Sequence, residues 1–323
     1  TMRLWTYSDS CNMKHEGCCA ESAVEDARRV CDKLGIDFYV MNFKDMFKDK
    51  VVDYFVDEYI HGRTPNPCIA CNKYLKFDAL LKKALAMGID YVATGHYAKI
   101  EKGEDGKYIL RASEAVKKDQ SYVLYNFTQE QLAHTLMPLG GYNKDWVRQK
   151  AEELGLGVAH KPDSQEICFV EDDDYAKFIT DYSGYKPKEG DILDVNGNVI
   201  GKHRGLIYYT IGQRKGIGAY GRPMFVMKID AENNTITLGE KGMEFSNELT
   251  AYDVNFVSGE FPKENMLITA KVRYQAPPAA AMLCPQKDGT VKLMFPEPQR
   301  AVTPGQAVVF YDGDIVLGGG TVL

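Results

Sequence analysis

The hydrophobic pattern of the chain changes period once, near residue 172, and that change limits the possible folds more than any other feature. Before it, apolar residues recur at helical spacing. Ala23, Val24, Ala27, Val30, Cys31 and Leu34 line one stripe of residues 20–34, and Gly35 stands where a helix C-terminus wants a glycine. A strand is predicted over residues 37–43, helices over 45–61 and 74–87, and a short apolar strand over 89–97. Strands alternating with helices predict an α/β doubly wound parallel sheet, with ligands bound beyond the carboxyl ends of the strands. After residue 172 the signal becomes β. Asn196-Gly197 between short apolar runs predicts a hairpin over 191–200. Further strands are predicted over 225–229, 235–238, 252–256, 267–273, 291–295, 308–311 and, beyond the Asp312-Gly313 turn, 315–317. Such regular short strands predict a small β-barrel or sandwich. The chain therefore divides into expected domains 1–172, 173–247 and 248–323, with no long linker between them, so they are expected to pack on one another.

At 323 residues the chain can bury several cores, and no apolar run approaches membrane length. No membrane association is expected. Eight cysteines spread over this length make no disulfide scaffold, and a reducing cytoplasm is the expected location. A net charge of −6 excludes a protein that coats nucleic acid indiscriminately, but leaves room for local basic clusters. Thr1 is no initiator, and Met2-Arg3-Leu4-Trp5-Thr6 is a strand that begins in mid-stride, so a longer parent chain is expected.

The cysteines carry the chemistry. Cys68 and Cys71 stand in Thr64-Pro65-Asn66-Pro67-Cys68-Ile69-Ala70-Cys71-Asn72-Lys73, between a proline-stiffened turn and a helical run, where backbone N–H groups and lysines favour thiolate over thiol. Cys168, in Asp163-Ser164-Gln165-Glu166-Ile167-Cys168-Phe169, lies in a polar stretch that can swing toward them. A C-x-x-C pair is also half of a structural zinc site, although a zinc ribbon needs a second such pair and none is present. Thr94-Gly95-His96-Tyr97 sits where a doubly wound sheet presents its ligand. Gly95 there allows close approach of a nucleotide, and His96 suits either a phosphate or base contact or a packed core position. Lys117-Lys118-Asp119-Gln120-Ser121-Tyr122 offers groups for phosphates and base edges, or a helix start capped by Asp119. The basic loops Gly201-Lys202-His203-Arg204-Gly205 and Gly212-Gln213-Arg214-Lys215-Gly216, with Tyr208 and Tyr209 between them, suit RNA, as does Arg273-Tyr274-Gln275.

These strings, with Gly62-Arg63-Thr64-Pro65-Asn66-Pro67, Lys118-Asp119-Gln120, Tyr209-Thr210-Ile211-Gly212-Gln213-Arg214 and Thr303-Pro304-Gly305-Gln306, resemble in order the bacterial tRNA-specific 2-thiouridylase family over nearly the whole chain. The resemblance implies a PP-loop (HUP-like) ATP pyrophosphatase domain, a small central domain and a C-terminal β-barrel. It implies a sulfurtransferase enzyme that converts C2–O of the anticodon wobble uridine to C2–S, using ATP with Mg2+ to adenylate the oxygen. By the same matching, Cys168 carries a persulfide received from a cysteine desulfurase or sulfur-relay protein. Cys71 is the nucleophile that helps release the sulfur, and the two can be left as a disulfide bond. Met2 and Gly95 touch ATP, and Asn66, Pro67 and Cys68 face the target base. His96, Lys118, Asp119, Gln120, Arg273, Tyr274 and Gln306 contact tRNA.

Two departures qualify this. The family's Ser-Gly-Gly loop, whose backbone N–H groups cradle pyrophosphate, lies before the first strand and is missing, so the chain as printed is not expected to turn over ATP. Cys68 stands where many members have aspartate, and Cys68, Cys71 and Cys168 together are a ligand set for a 4Fe-4S cluster with one open iron. Two other functions compete: a non-catalytic RNA-binding protein that has lost its ATP loop and holds structural zinc, and a PP-loop ligase for a small molecule. The barrel and basic loops count against the ligase.

Overall fold

The computed structural model describes residues 1–5, 21–115, 118–161, 167–170 and 173–323. Lys117, Asp163-Ser164-Gln165-Glu166 and Cys11, Cys18 and Cys19 lie outside them.

In the first domain the strands that form the sheet pair in parallel, as the alternation requires. β1 (Met2–Arg3) pairs with β2 (Met41–Asn42), and β3 (Val92–Ala93) with β6 (Thr135–Leu136). The helix Glu21–Leu34 ends at Gly35, whose φ of 66° lets Ile36 N–H return to the Cys31 carbonyl at 3.1 Å. Two long helical runs carry the core. The first passes through Lys44–Phe47, Lys48–Asp53 and Tyr54–Ile60. The second passes through Pro67–Ala70, Cys71–Ala79 and Leu80–Ala86. In each, the middle piece widens to π-type hydrogen bonding, a form that recurs at functional sites. Phe47, Val51, Val52 and Phe55 of the first run are buried to within about 1% with Leu75 of the second, and burial of each such side chain is worth roughly 1.5–3 kcal/mol. Phe169 meets Phe47 and Phe55 edge to face at 5.6 and 5.3 Å, which anchors the segment carrying Cys168. The helix Tyr175–Ser183, beyond the expected boundary after residue 172, packs into this core through Phe178 and Ile179.

An element absent from the predicted set is the hairpin β4 (Ala98–Lys102) and β5 (Tyr108–Ala112). It leaves the parallel sheet and joins the barrel. The central domain is a four-stranded sheet in the order β8-β7-β10-β9, formed by β7 (Gly190–Leu193), β8 (Val199–His203), β9 (Met224–Asp230) and β10 (Thr235–Glu240). The expected hairpin is β7 and β8, with Asp194 at its turn accepting from Asn196 and Asn198 N–H at 2.8 Å.

The C-terminal domain closes into an antiparallel barrel. Its strands are β11 (Phe245–Phe256), β12 (Met266–Lys271), β13 (Ala279–Pro285), β14 (Val291–Arg300), β15 (Ala307–Asp312) and β16 (Ile315–Val322). They run β11-β14-β13-β12-β15-β16, and β16 pairs back with β11 to abolish the edge. The hairpin β4 and β5 extends this sheet where Arg111 registers with Ile315 and pairs with Glu101 at 2.7 Å and Asp314 at 2.8 Å. First domain and barrel also share one core, in which Ile69, Phe77, Tyr122 and Tyr125 pack with Val257, Ala307, Val309 and Val316. The first domain and the barrel therefore pack on one another. Among the described residues no helix is long and apolar enough to cross a membrane.

Candidate active site and RNA interface

The cysteine helix begins at Pro67, seven residues before the predicted start at residue 74. Asn66 is its cap: the side chain accepts from Cys68 N–H at 3.1 Å and Ile69 N–H at 3.4 Å, and Pro67 takes the first helical position, where a missing N–H costs nothing. Both cysteines thus lie within the helix. The turn before it is held from the barrel. Thr64 N–H donates to the Pro304 carbonyl at 2.9 Å, and Gln306 Nε2 donates to the Thr64 carbonyl at 2.8 Å. Gly305, at φ 86°, fits so closely that a Cβ there would lie 3.0 Å from Thr64 N and 3.2 Å from Glu58 Oε2. Glu58 is buried, and its carboxylate is gripped by both arms of Arg63, Nε to Oε2 at 2.8 Å and Nη2 to Oε1.

Cys71 is buried in the first-domain core beside Leu75 and Phe169, and Cys168 packs, half-buried, against the same cluster. Cys68 is exposed. Among the described residues no three His, Cys, Asp or Glu side chains stand together in a way that could hold a metal ion. Neither the 4Fe-4S cluster expected on Cys68, Cys71 and Cys168 nor the alternative of structural zinc finds support there. Cys71 is buried in the apolar core, whereas Cys68, one turn earlier on the same helix, is exposed.

Cys68 lies within electrostatic reach of Tyr274, one of the residues expected to bind RNA. The Tyr274 phenol is raised above the usual tyrosine range by burial first and then by Asp119, with Lys118 opposing and Cys68 adding to it. Its hydroxyl donates to the Asp119 carbonyl at 3.1 Å, and Arg273 Nη1 donates to the Arg300 carbonyl at 3.2 Å. The Asp119 carboxylate accepts from Ser113 N–H at 2.9 Å, Ser121 N–H at 3.2 Å and Ser121 Oγ at 2.7 Å, while Gln120 Oε1 accepts from Tyr97 N–H at 3.0 Å. These two side chains build the loop that carries Lys118 and receives the Tyr274 hydroxyl. His96 is the packed histidine of the two alternatives. Burial, with Lys76 adding, lowers its pKa to about 3, and its Nδ1 lies 2.9 Å from Thr94 Oγ1. At neutral pH it carries no charge for a phosphate.

Met2 registers with Met41 across the parallel pair, and Gly95 follows β3. A Cβ at Gly95 would meet only Leu139 Cδ1, at 3.7 Å, so nothing in the protein itself demands a glycine there. Sequence reasoning missed Glu58, Arg63 and the structural part played by Gln306. The only local signal was Asn66-Pro67, a cap followed by a first-turn proline.

Three family models cover the chain in succession: the tRNA methyl transferase HUP domain over residues 1–172, the tRNA methyl transferase PRC-barrel domain over 176–240 and the aminomethyltransferase beta-barrel domain over 246–322. The tRNA-specific 2-thiouridylase MnmA of Acetivibrio thermocellus is 57% identical over 325 residues, spanning 100% of this chain and 90% of that protein. The MnmA of Clostridioides difficile is 56% identical over 324 residues, again 100% and 90%. Identity at this level extends across all three domains described above, and the chain belongs to the MnmA family of tRNA-specific 2-thiouridylases.

Proposed function

We propose that this protein is a tRNA sulfurtransferase that replaces the C2 oxygen of the wobble uridine by sulfur with consumption of ATP. The observation that carries the reading is identity to 2-thiouridylases over the entire chain. It is supported locally by Cys71 and Cys168, distant in sequence, meeting at one core cluster.

In this reading the uridine C2 oxygen attacks the α-phosphorus of ATP and pyrophosphate leaves. A persulfide sulfur on Cys168 then attacks C2 and AMP leaves. The Cys71 thiolate attacks the Cys168 sulfur, the S–S bond of the adduct breaks, and thiouridine departs from a Cys71–Cys168 disulfide that a cellular thiol must reduce. Low-dielectric surroundings at Cys71 keep water from competing for the persulfide. Met2 and Gly95 belong to the ATP side, where Mg2+ would neutralise the phosphates. Gly95, free of any steric need for glycine within the protein, suits close approach of the nucleotide. Asn66, Pro67 and Cys68 face the base, with Lys118, Arg273 and Tyr274 on the RNA around it and His96, Asp119, Gln120 and Gln306 shaping those contacts. The sulfur enters from a cysteine desulfurase or relay protein, in the reducing cytoplasm.

Cys168→Ser in the full-length protein is the test. Serine keeps the size but cannot carry transferable sulfur, so thiolation measured by mass spectrometry of digested tRNA is expected to vanish while tRNA affinity stays within about twofold. Retained thiolation would sink the assignment.

A further inference from the structure

We infer that Lys271 is a phosphate-binding residue of the RNA site, an ammonium held over two tyrosine rings to receive a phosphodiester oxygen beside Tyr274; the inference rests on the tRNA reading above. Lys271 ends β12 and registers with Val309 of β15. Its Nζ lies 5.8 Å from the centroid of the Tyr122 ring and 5.7 Å from that of Tyr274. The two rings meet edge to face at 5.7 Å, and Tyr122 is locked by its hydroxyl donating to the Ala307 carbonyl at 2.7 Å.

The ammonium is half-buried, and burial pulls its pKa below the usual lysine value with Asp119 opposing. Yet no carboxylate bonds to it among the described residues, and the oxygens of Asp119 are already taken by Ser113 and Ser121. Cation–π attraction offsets only part of the cost of withdrawing a charge from water. Where only an apolar stem is needed, methionine supplies it without that cost. What remains is a positioned cation with no carboxylate bonded to it among the described residues, only the through-space attraction of Asp119. It stands beside Tyr274, which is 41% exposed and lies in the field of Lys118 and Cys68. An RNA phosphate supplies the missing anion, and an exposed tyrosine next to it offers a base a stacking face.

Binding of an unmodified tRNA transcript to the full-length protein, titrated from about 50 to 200 mM salt, is the test. Lys271→Met keeps the stem and removes the charge. It is expected to bind about five- to tenfold more weakly at the low-salt end and to flatten the log K against log salt slope by about 0.7–0.9, with Lys271→Arg restoring the slope. Should Lys271→Met not fold, Lys271→Gln is read the same way. An unchanged slope in the charge-removing variant overturns the inference, whether affinity holds or falls, because loss of packing alone does not alter counterion release. A wild-type protein that fails to bind tRNA overturns the tRNA reading itself.

Discussion

Gly305→Ala tests whether the barrel holds the turn that starts the cysteine helix. Gly305 sits at φ 86°, and Gly289, in another turn of the same barrel, sits at φ 82° with nothing within 4 Å of where a Cβ would stand. Alanine at either position meets the left-handed backbone penalty of roughly 1–2 kcal/mol. Only at residue 305 does the new methyl also meet Arg63 Cβ and Thr64 N, each at 3.0 Å. Those atoms cannot easily yield, because Thr64 N–H is bonded to Pro304 and Glu58 is clasped by Arg63. Overpacking of this kind costs about 1–3 kcal/mol. Gly305→Ala should therefore lose about 2–5 kcal/mol and Gly289→Ala about 1–2, read as midpoint shifts in urea unfolding followed by circular dichroism. Thiolation should fall for the first variant beyond what its folded fraction explains. Equal destabilisation of the two variants would refute the reasoning.

The remaining expectations concern charge and sulfur. His96 binds its proton at about pH 3 in the fold but near pH 6.5 when unfolded, so the unfolded chain holds more protons between those values and stability falls as pH drops through that window. Relative to neutral pH the wild type should lose about 2 kcal/mol from this group by pH 5, and His96→Asn, which keeps a polar atom near Thr94, should flatten that slope; an unflattened urea series disproves the neutral buried state. Anaerobic reconstitution with iron and sulfide should leave well under one cluster per chain, because the described residues offer no group of metal ligands and Cys68 is exposed while Cys71 is buried; a stoichiometric 4Fe-4S Mössbauer signal would restore the cluster reading. Arg214 and Lys215 are exposed, and reversing both charges should weaken tRNA binding and lower the salt slope by about 0.7–0.9 per lost phosphate contact; an unchanged slope assigns this loop to folding.

Much of the architecture was legible because periodicity is a local signal. The stripe of residues 20–34, the helix burying Phe47, Val51 and Phe55, and the Asn196-Gly197 hairpin appear as predicted. The hairpin β4 and β5 carried its own signal in Asp105-Gly106 between alternating residues, but its strands are short and its pairing with β16 is long-range. β13 was hidden by composition. Ala279, Ala280 and Ala281 have weak strand propensity and follow two prolines, and only pairing with β12 and β14 makes them a strand. At the site, residue types were readable and directions were not. A C-x-x-C spacing does not say which sulfur enters a core, and the Asp119 and Gln120 side chains looked like ligands for RNA because their partners, Ser113 and Tyr97, are set by tertiary packing.

The barrel is more than an appended RNA clamp. Its loop 303–306 bonds the residues that precede Asn66, Asp253 of β11 pairs with Lys73 of the cysteine helix at 2.7 Å, and Asn255 donates to the Tyr125 and Phe127 carbonyls at 2.8 and 3.1 Å. Tyr274, just beyond β12, donates to the Asp119 carbonyl and lies within the electrostatic reach of Cys68. In the function proposed above, RNA engaged at Arg273 and Tyr274 would therefore act on a packed unit that contains the start of the helix bearing Cys71. Contacts far from the uridine can in this way be converted into placement of the nucleophile, which is how remote binding lowers a chemical barrier.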